Sequence, residues 1–292
     1  MQLTHPNPAA AFFTSAPARA VARLLRGLDR LAPRLSTRLA LGLFFTPLPT
    51  KRLARGRPVP APWTLSELPF ENGHLGVWQR ADALPDAPRV LLVHGWAGDA
   101  QQLRAQGDRL LAAGLAPVLL DLPAHGRAGG WRTNLGQWVR ALFAVTARFG
   151  PWQGVVAHSL GAVASAHAMA RGLPVQRAAL IALAPPPRLF LSWFAAAMGV
   201  GEALAERMQR RIEQRVGVEM AQFDPAWLAP RLKQPTLLVH DHADRTAPLA
   251  GSAAMAEGAA QAVLLRTEGL GHRRVLQDGW VLQQVERHLA AQ

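Results

Sequence analysis

Three residues whose side chains can together perform nucleophilic catalysis occur in the order Ser159, Asp244 and His272. Ser159 lies between an apolar run typical of a strand and a segment typical of a helix, with the small residues Ala157 and Gly161 close on either side. A sharp strand-to-helix turn needs such small neighbours, and it exposes a serine hydroxyl at the carboxyl edge of a sheet. The pattern therefore predicts a nucleophilic serine on a tight turn.

A serine hydroxyl is a weak nucleophile near neutral pH and needs a base that is itself oriented by an anionic group. Asp244 and His272 each follow a later strand-like run, in the segments His240-Asp241-His242-Ala243-Asp244 and Thr267-Glu268-Gly269-Leu270-Gly271-His272. We predict that His272 is the base and that Asp244 orients it. Asp241 is the alternative to Asp244 as the acid.

The oxyanion that forms when a serine attacks a carbonyl needs N–H donors that are fixed in advance. Leu160 is expected to begin a helix, where its backbone N–H and the helix dipole favour negative charge. The second donor is expected from His94-Gly95-Trp96-Ala97-Gly98, which follows another strand-like run, and we predict the N–H of Trp96. His94 is expected to shape this loop, and His158 is expected to be structural because it points away from the serine.

The elements that must position these residues are short apolar runs that alternate with helical stretches. Strands are predicted at 63–70, 74–80, 89–93, 116–120, 154–157, 178–183, 236–240 and 262–266. Helices are predicted at 99–113, 131–149, 160–171 and 275–289. Asn72-Gly73 predicts a hairpin between the first two strands. This alternation predicts an α/β fold with a mostly parallel sheet and helices on both faces.

From about residue 63 to its end, the chain resembles the α/β-hydrolase superfamily. The resemblance rests on His94-Gly95-Trp96, Asp121-Leu122-Pro123-Ala124-His125-Gly126, Ala157-His158-Ser159-Leu160-Gly161, Asp244 and Gly271-His272. Ala157 and Ala124 stand where glycine is more usual, and His125 is expected to be structural. The resemblance implies the fold and a Ser-Asp-His hydrolase more strongly than it implies a substrate. A serine at the turn argues against the haloalkane dehalogenase and epoxide hydrolase branches, which use an aspartate there.

An insertion at about 186–230 interrupts the alternation, and we predict that it forms a small helical lid. Its helix at 202–216 carries apolar residues at every fourth position. Four of its apolar side chains are expected to contact the substrate, namely Phe190, Trp193, Phe194 and Met198. Such a lining favours a carboxylic ester with an apolar acyl or aryl group. A thioester, a lactone or a carbon–carbon cleavage substrate stays open, as does a helix that merely packs on the sheet edge.

Residues 1–60 form a basic extension ahead of a predicted hydrolase-like domain at 61–292. They hold ten of the 32 Lys and Arg residues and one acid, Asp29, so nine of the thirteen net positive charges lie there. Between residues 18 and 45, arginines and leucines recur every three or four positions, which predicts an amphipathic helix or a helix pair bent near Pro33. It is expected either to pack on the domain or to lie on an anionic membrane.

The remaining sequence features exclude several kinds of catalytic and metal site. The absence of cysteine and tyrosine excludes disulfides, Cys-ligated metals and thiol or phenolic catalysts. His240 and His242 beside aspartates suggest a metal, but adjacent strand residues point to opposite faces, so we expect neither metal nor cofactor.

The position of the basic charge bears on partners and location. Because it lies mainly outside the predicted domain, nucleic acid is not an expected partner. Residues 51–62 are expected to be a linker, and no apolar run in the extension is long enough to span a membrane. We expect a cytoplasmic enzyme, which contacts the inner membrane surface peripherally if the extension lies on lipid and not on the domain. A non-catalytic membrane-associated binding protein is the alternative.

Overall fold

The computed structural model describes residues 16–47 and 50–291 and divides the chain into two compact units. The larger unit comprises Pro47–Ala184 and Pro225–Gln292, and the smaller unit comprises Met1–Thr46 and Pro185–Asp224. The N-terminal helices and the insertion, which look like separate features in the sequence, therefore belong to one unit.

Eight strands form a single sheet in the larger unit. They are β1 (Trp63–Phe70), β2 (Gly73–Arg80), β3 (Arg89–Val93), β4 (Ala116–Asp121), β5 (Trp152–His158), β6 (Val175–Ile181), β7 (Thr236–Asp241) and β8 (Ala262–Thr267). Their order across the sheet is β1-β2-β4-β3-β5-β6-β7-β8. β2 runs antiparallel to both of its neighbours, and all other neighbouring strands are parallel. The predicted α/β class and mostly parallel sheet are confirmed.

In chain order, helices precede, separate and follow these strands. They are α1 (Ala16–Leu31), α2 (Pro33–Phe44), α3 (Thr50–Arg55), α4 (Arg104–Ala112), α5 (Leu135–Phe149), α6 (Leu160–Ala170), α7 (Pro187–Ala197), α8 (Glu202–Val216), α9 (Pro225–Leu228), α10 (Ala250–Gly258), α11 (Gly271–Arg274) and α12 (Gly279–Ala290). Among the described residues, no helix is long and apolar enough to cross a membrane.

Side-chain caps explain where two helices start later than the sequence pattern predicts. The Asn134 side chain accepts a hydrogen bond from the N–H of Gln137, so α5 begins at Leu135 and not near residue 131. Asp278 does the same for the N–H of Val281, which sets the start of α12. Such caps satisfy N–H groups that have no partner within the helix.

The central strands read as continuous apolar runs because both of their faces are buried. In β5 every residue except Gln153 is buried, and all of β4 and β7 is buried. Parallel strands that helices cover on both sides have this pattern, since neither face meets water. The carboxyl ends of β3, β4, β5, β7 and β8 consequently present their following loops along one edge of the sheet.

The segment predicted as a linker begins as the short helix α3, which is anchored to the larger unit. Lys51 is buried there, and its Nζ donates hydrogen bonds to the carbonyl oxygens of Ala128, at 2.7 Å, and Gly130. Burial, together with the nearby charge of Arg55, lowers the pKa of Lys51 to about 8. Residues 50–55 are therefore part of the folded unit, which sequence composition alone does not reveal.

In the smaller unit, α1 and α2 form the predicted helix pair, with Pro33 at the first position of α2, where its missing N–H costs nothing. One face of each helix packs with α7 and α8 in an apolar core. Its members include Ala22, Leu25, Ala40, Leu41, Leu191, Phe194, Met198, Leu204 and Met208. Arg207 donates hydrogen bonds to Asp29 and to the hydroxyl of Thr37, which ties α8 to both N-terminal helices.

Candidate active site

The three side chains singled out in the sequence form one hydrogen-bonded chain. The hydroxyl of Ser159 lies 3.0 Å from Nε2 of His272, and Nδ1 of His272 lies 2.7 Å from Oδ2 of Asp244. Because a carboxylate only accepts, Nδ1 carries the hydrogen and Nε2 is left to accept from the serine. This arrangement allows His272 to remove the serine proton.

Ser159 sits on a strained turn between β5 and α6. Its backbone has a φ of +54°, a region that non-glycine residues rarely adopt and that costs about 1–3 kcal/mol. The turn brings neighbouring backbone segments close together, which Gly161 and Gly95 allow because they have no side chain. A side chain at Gly161 would meet the carbonyl oxygen of His94 at 2.2 Å, and one at Gly95 would meet Cβ of Ser159 at 2.8 Å. The loop after β3 thus passes directly beside the serine.

The side chain of Asp244 is buried, and its carboxylate is held in the ionised form by its partners. Burial opposes ionisation, but the hydrogen bond and charge interaction with His272 and the N–H groups of Ala247 and Thr246 together lower its pKa. The carboxylate therefore stays charged near neutral pH and can stabilise a protonated imidazole.

Asp241, the alternative acid, has a different set of partners. It accepts hydrogen bonds from the hydroxyl of Thr267 at 2.8 Å and from the N–H groups of Leu270 at 2.9 Å and Ala243 at 3.0 Å. Burial raises its pKa, and the N–H groups of Gly271 and Leu270 with the other donors outweigh that effect and lower it. Asp241 therefore braces the loop that carries His272, whereas Asp244 contacts the imidazole.

His158 connects the nucleophile turn to the base loop, a role that its position before Ser159 does not disclose. Its Nε2 lies 2.9 Å from the backbone carbonyl oxygen of His272, and because that oxygen only accepts, Nε2 carries the hydrogen. Burial, with the nearby His272 ring, lowers the pKa of His158 to about 3. It is a neutral positioning residue.

Two further histidines fix the loop after β3, as expected of His94 and His125. Nδ1 of His94 donates to the carbonyl of Gly95 at 2.7 Å, and its Nε2 accepts the N–H of Leu122 at 3.1 Å. Nδ1 of His125 donates to the carbonyl of Pro123, and its Nε2 accepts the N–H of Ala97 at 3.0 Å. Burial lowers the pKa of both rings, so both stay neutral and keep these tautomers.

This loop carries Trp96, whose indole stacks on Trp138 with ring centroids 6.0 Å apart. Its edge-to-face contact with His125 at 5.1 Å fixes it from a second side. Because Trp96 follows Gly95, which lies against Ser159, its N–H is in the loop that borders the serine. Leu160 begins α6, so its N–H belongs to the first turn, which has no partner within the helix.

The apolar residues predicted to contact substrate differ in their packing. Phe194 and Met198 are almost fully buried in the core of the smaller unit, and this packing accounts for them without a ligand. Their expected substrate contact, which this packing does not require, stays a prediction. Phe190 and Trp193 are half-buried and meet edge to face at 5.5 Å. For these two, substrate contact stays a prediction.

His240, one of the residues that suggest a metal, uses both ring nitrogens within the protein. Nδ1 lies 2.7 Å from the hydroxyl of Ser252, and Nε2 lies 3.0 Å from the carbonyl oxygen of Ala247. Burial lowers its pKa, so its 3.6 Å approach to Asp244 is a contact of a neutral ring. Its role is to hold the segment that carries Asp244.

No family model matches this sequence, and no curated protein sequence is significantly similar to it. Solved structures do match. The thioesterase domain from the curacin biosynthetic pathway is 16% identical, with 78% of this chain and 99% of that chain covered and a TM-score of 0.59. Est1E from Butyrivibrio proteoclasticus, with bound ferulic acid, is 15% identical, with 77% of this chain and 100% of that chain covered and a TM-score of 0.59.

A third similar structure is the 2-hydroxy-6-oxo-6-phenylhexa-2,4-dienoate hydrolase from Rhodococcus sp. strain RHA1. It is 19% identical, with 78% of this chain and 98% of that chain covered and a TM-score of 0.59. The shared feature of these three is the arrangement of the sheet and its flanking helices. Together with the strand order described above, they identify the chain as having the α/β-hydrolase fold.

Proposed function

We propose that the protein is a serine hydrolase that cleaves a carboxylic ester through an acyl-enzyme intermediate. The observation that carries the proposal is the chain of two hydrogen bonds that links Ser159, His272 and Asp244, at 3.0 and 2.7 Å. A serine, a base in the required tautomer and a buried carboxylate are the groups that acyl transfer needs.

In the first step, Nε2 of His272 takes the proton of the Ser159 hydroxyl while Oγ bonds to the ester carbonyl carbon. The carbonyl π electrons move to its oxygen, where we assign the N–H groups of Trp96 and Leu160 as donors. His272 then gives its proton to the alkoxide as the carbon–oxygen bond to the leaving alcohol breaks. Asp244 remains ionised throughout and stabilises the imidazolium.

In the second step, water replaces the alcohol. His272 removes a proton from water as the water oxygen attacks the acyl carbon, and the same N–H groups stabilise the second oxyanion. Collapse of that intermediate breaks the bond to Oγ, which recovers its proton from His272. The products are a carboxylic acid and an alcohol, and the enzyme is regenerated.

The catalytic groups fit more than one acyl group and leaving atom. An ester fits the catalytic groups, and a thioester, a lactone or a carbon–carbon substrate would use the same ones. Among the similar structures, one is a thioesterase domain, one is a 2-hydroxy-6-oxo-6-phenylhexa-2,4-dienoate hydrolase, and one holds bound ferulic acid. A panel of p-nitrophenyl esters of increasing acyl length, matched thioesters and lactones therefore defines the substrate class.

The test of the catalytic proposal compares wild-type protein with Ser159→Ala on this panel. We expect hydrolysis by the wild type and a loss of at least about 10⁴-fold in kcat in the variant. Ser165→Ala is the matched control, since this serine is buried within α6 and its hydroxyl has no hydrogen-bond partner among the described residues. Equal activity of the wild type and Ser159→Ala would contradict the proposal, and absence of hydrolysis by either protein would favour a binding protein that keeps the fold.

A further inference from the structure

The two N-terminal helices expose a row of large apolar side chains that their packing within the smaller unit leaves uncovered. In α2, Leu35, Leu39 and Leu43 recur every four residues and are exposed. In α1, Leu24 is 57% exposed and Leu31 is 86% exposed. Residues spaced by four or seven share one face of a helix, so each helix has a leucine stripe on its solvent side.

The opposite faces explain why these leucines are not simply part of the core. Ala22 and Leu25 of α1 and Ala40 and Leu41 of α2 are the residues buried within the unit. The core is therefore already supplied by a separate set of apolar positions. Each helix carries two apolar faces, one packed and one exposed, and ordinary surface helices need only the first.

The exposed leucines are bordered by arginines. Arg23, Arg30, Arg34 and Arg38 are all exposed on α1 and α2. Asp29, the one acid in these helices, is engaged by Arg207 from within the same unit, so it does not neutralise the outer arginines. The solvent side of the helix pair thus combines an apolar stripe with positive charge alone.

We propose that this leucine and arginine face of α1 and α2 docks the protein on an anionic lipid bilayer. The apolar stripe suits the boundary between headgroups and acyl chains, and the arginines suit anionic phosphate groups at the same depth. Each basic residue near such a surface and each inserted leucine contributes separately, so the attraction depends on both. Helices of this type lie in the plane of the interface.

The positive charge of this face favours an anionic bilayer over a second copy of the chain as the partner. A second copy of this chain would bring an identical arginine-rich face against the first, and like charges across an interface oppose association. An anionic bilayer offers the complementary charge as well as an apolar layer. The inference concerns the smaller unit alone and does not depend on the proposed catalytic activity.

The experiment measures flotation of the full-length protein with phosphatidylcholine vesicles prepared with and without phosphatidylglycerol. We expect binding to the vesicles that contain phosphatidylglycerol, and weaker binding at high salt because salt screens the arginines. Leu35→Gln with Leu39→Gln is expected to lower the partition coefficient by about tenfold or more, since each leucine loses its transfer out of water. Arg34→Gln with Arg38→Gln is expected to lower it and to reduce the salt dependence.

Leu53→Gln with Leu84→Gln is the matched control, because these leucines are 62% and 72% exposed in the larger unit. It is expected to bind vesicles as the wild type does. Circular dichroism checks that each variant folds. Absence of binding to anionic vesicles, or an equal loss in the control, overturns the proposal. So does a dimer in sedimentation analysis that Leu35→Gln with Leu39→Gln converts to a monomer without any change in vesicle binding.

Discussion

The side chains around Ser159 and those on the outer face of α1 and α2 differ in polarity and in exposure. Around Ser159, the proposed catalytic side chains are joined by specific hydrogen bonds, from Ser159 to His272 and from His272 to Asp244. On α1 and α2, the side chains of interest are apolar and exposed, and Leu31 is 86% exposed. The first arrangement fixes individual atoms, whereas the second presents a surface.

The two regions should differ in how well they tolerate substitutions. In a buried polar network, removal of one partner leaves another without its hydrogen bond, so single substitutions have large effects. An exposed apolar stripe makes few contacts within the fold, so its loss changes the affinity for a partner and leaves the fold intact. Substitutions in the two regions should therefore separate into distinct classes.

The largest effect within the network is expected from Asp244→Asn. The amide nitrogen would face Nδ1 of His272 and could not accept its hydrogen, so the imidazole would lose the tautomer that accepts from Ser159. We expect kcat to fall by about 10⁴-fold with the fold retained. Kinetics on the best ester of the panel, with circular dichroism as the check on folding, measure this. A fall below tenfold would show that another group orients His272.

Asp241→Asn alters the carboxylate that braces the loop carrying His272, and it should act mainly on stability. The variant places an N–H₂ group against the N–H of Leu270, so a buried donor loses its acceptor at a cost of about 1–3 kcal/mol. We expect a loss of that size in urea unfolding at neutral pH and a smaller loss of kcat than in Asp244→Asn. A larger kcat loss than in Asp244→Asn would reverse the two assignments.

The pH dependence of that stability difference follows from the lowered pKa of Asp241. A carboxylate with a lowered pKa in the folded state binds fewer protons than in the unfolded chain. Its contribution is present above the unfolded value of 3.8 and is lost as the pH falls through the folded value. The stability gap between wild type and Asp241→Asn should therefore shrink below about pH 4, which unfolding curves at several pH values measure. A gap that widens in acid would contradict this.

His158→Leu removes the donor to the carbonyl of His272 and should lower kcat by about 10- to 100-fold through misplacement of the base. His158→Gln, which keeps an N–H at a similar position, is expected to restore most of the activity. Because the pKa of His158 is about 3, the acid limb of the kcat profile should be the same in all three proteins. A shifted limb would mean that His158 titrates during catalysis.

The smallest effect on the fold is expected from Leu35→Gln with Leu39→Gln on the outer face. Since both leucines are exposed, we expect the free energy of unfolding to change by no more than about 0.5 kcal/mol per residue. Activity on a water-soluble ester should be unchanged. Urea unfolding and ester kinetics measure both, and a loss of several kcal/mol would show that the stripe is part of the folded core.

The strands were predictable because local patterns govern them, and Ser159, Asp244 and His272 were predictable because each follows a strand in the order that the resemblance implies. The small residues around Ser159 predict a tight turn, and apolar runs of strand length predict strands. The strand order then brings the carboxyl ends of the parallel strands to one edge of the sheet. The roles of Asp241 and His158 were not accessible in this way. Each depends on a hydrogen bond to a residue 29 or 114 positions away, which no local pattern encodes.

The extent of the smaller unit escaped prediction for a related reason. The apolar periodicity of α1 and α2 is evident, but the residues that cover one face come from α7 and α8, more than 100 positions later. Periodicity therefore predicted helices and did not reveal which of two apolar faces is packed. The buried position of Lys51, within an apparent linker, is likewise set by carbonyl groups distant in sequence.

The most direct test of the central claim is the rate at which a fluorophosphonate labels the protein, followed by mass spectrometry of the modified peptide. We expect one phosphonyl group on Ser159, no adduct in Ser159→Ala, and a labelling rate at least about 10²-fold slower in Asp244→Asn. Labelling of another residue, or equal rates in the wild type and Ser159→Ala, would contradict it.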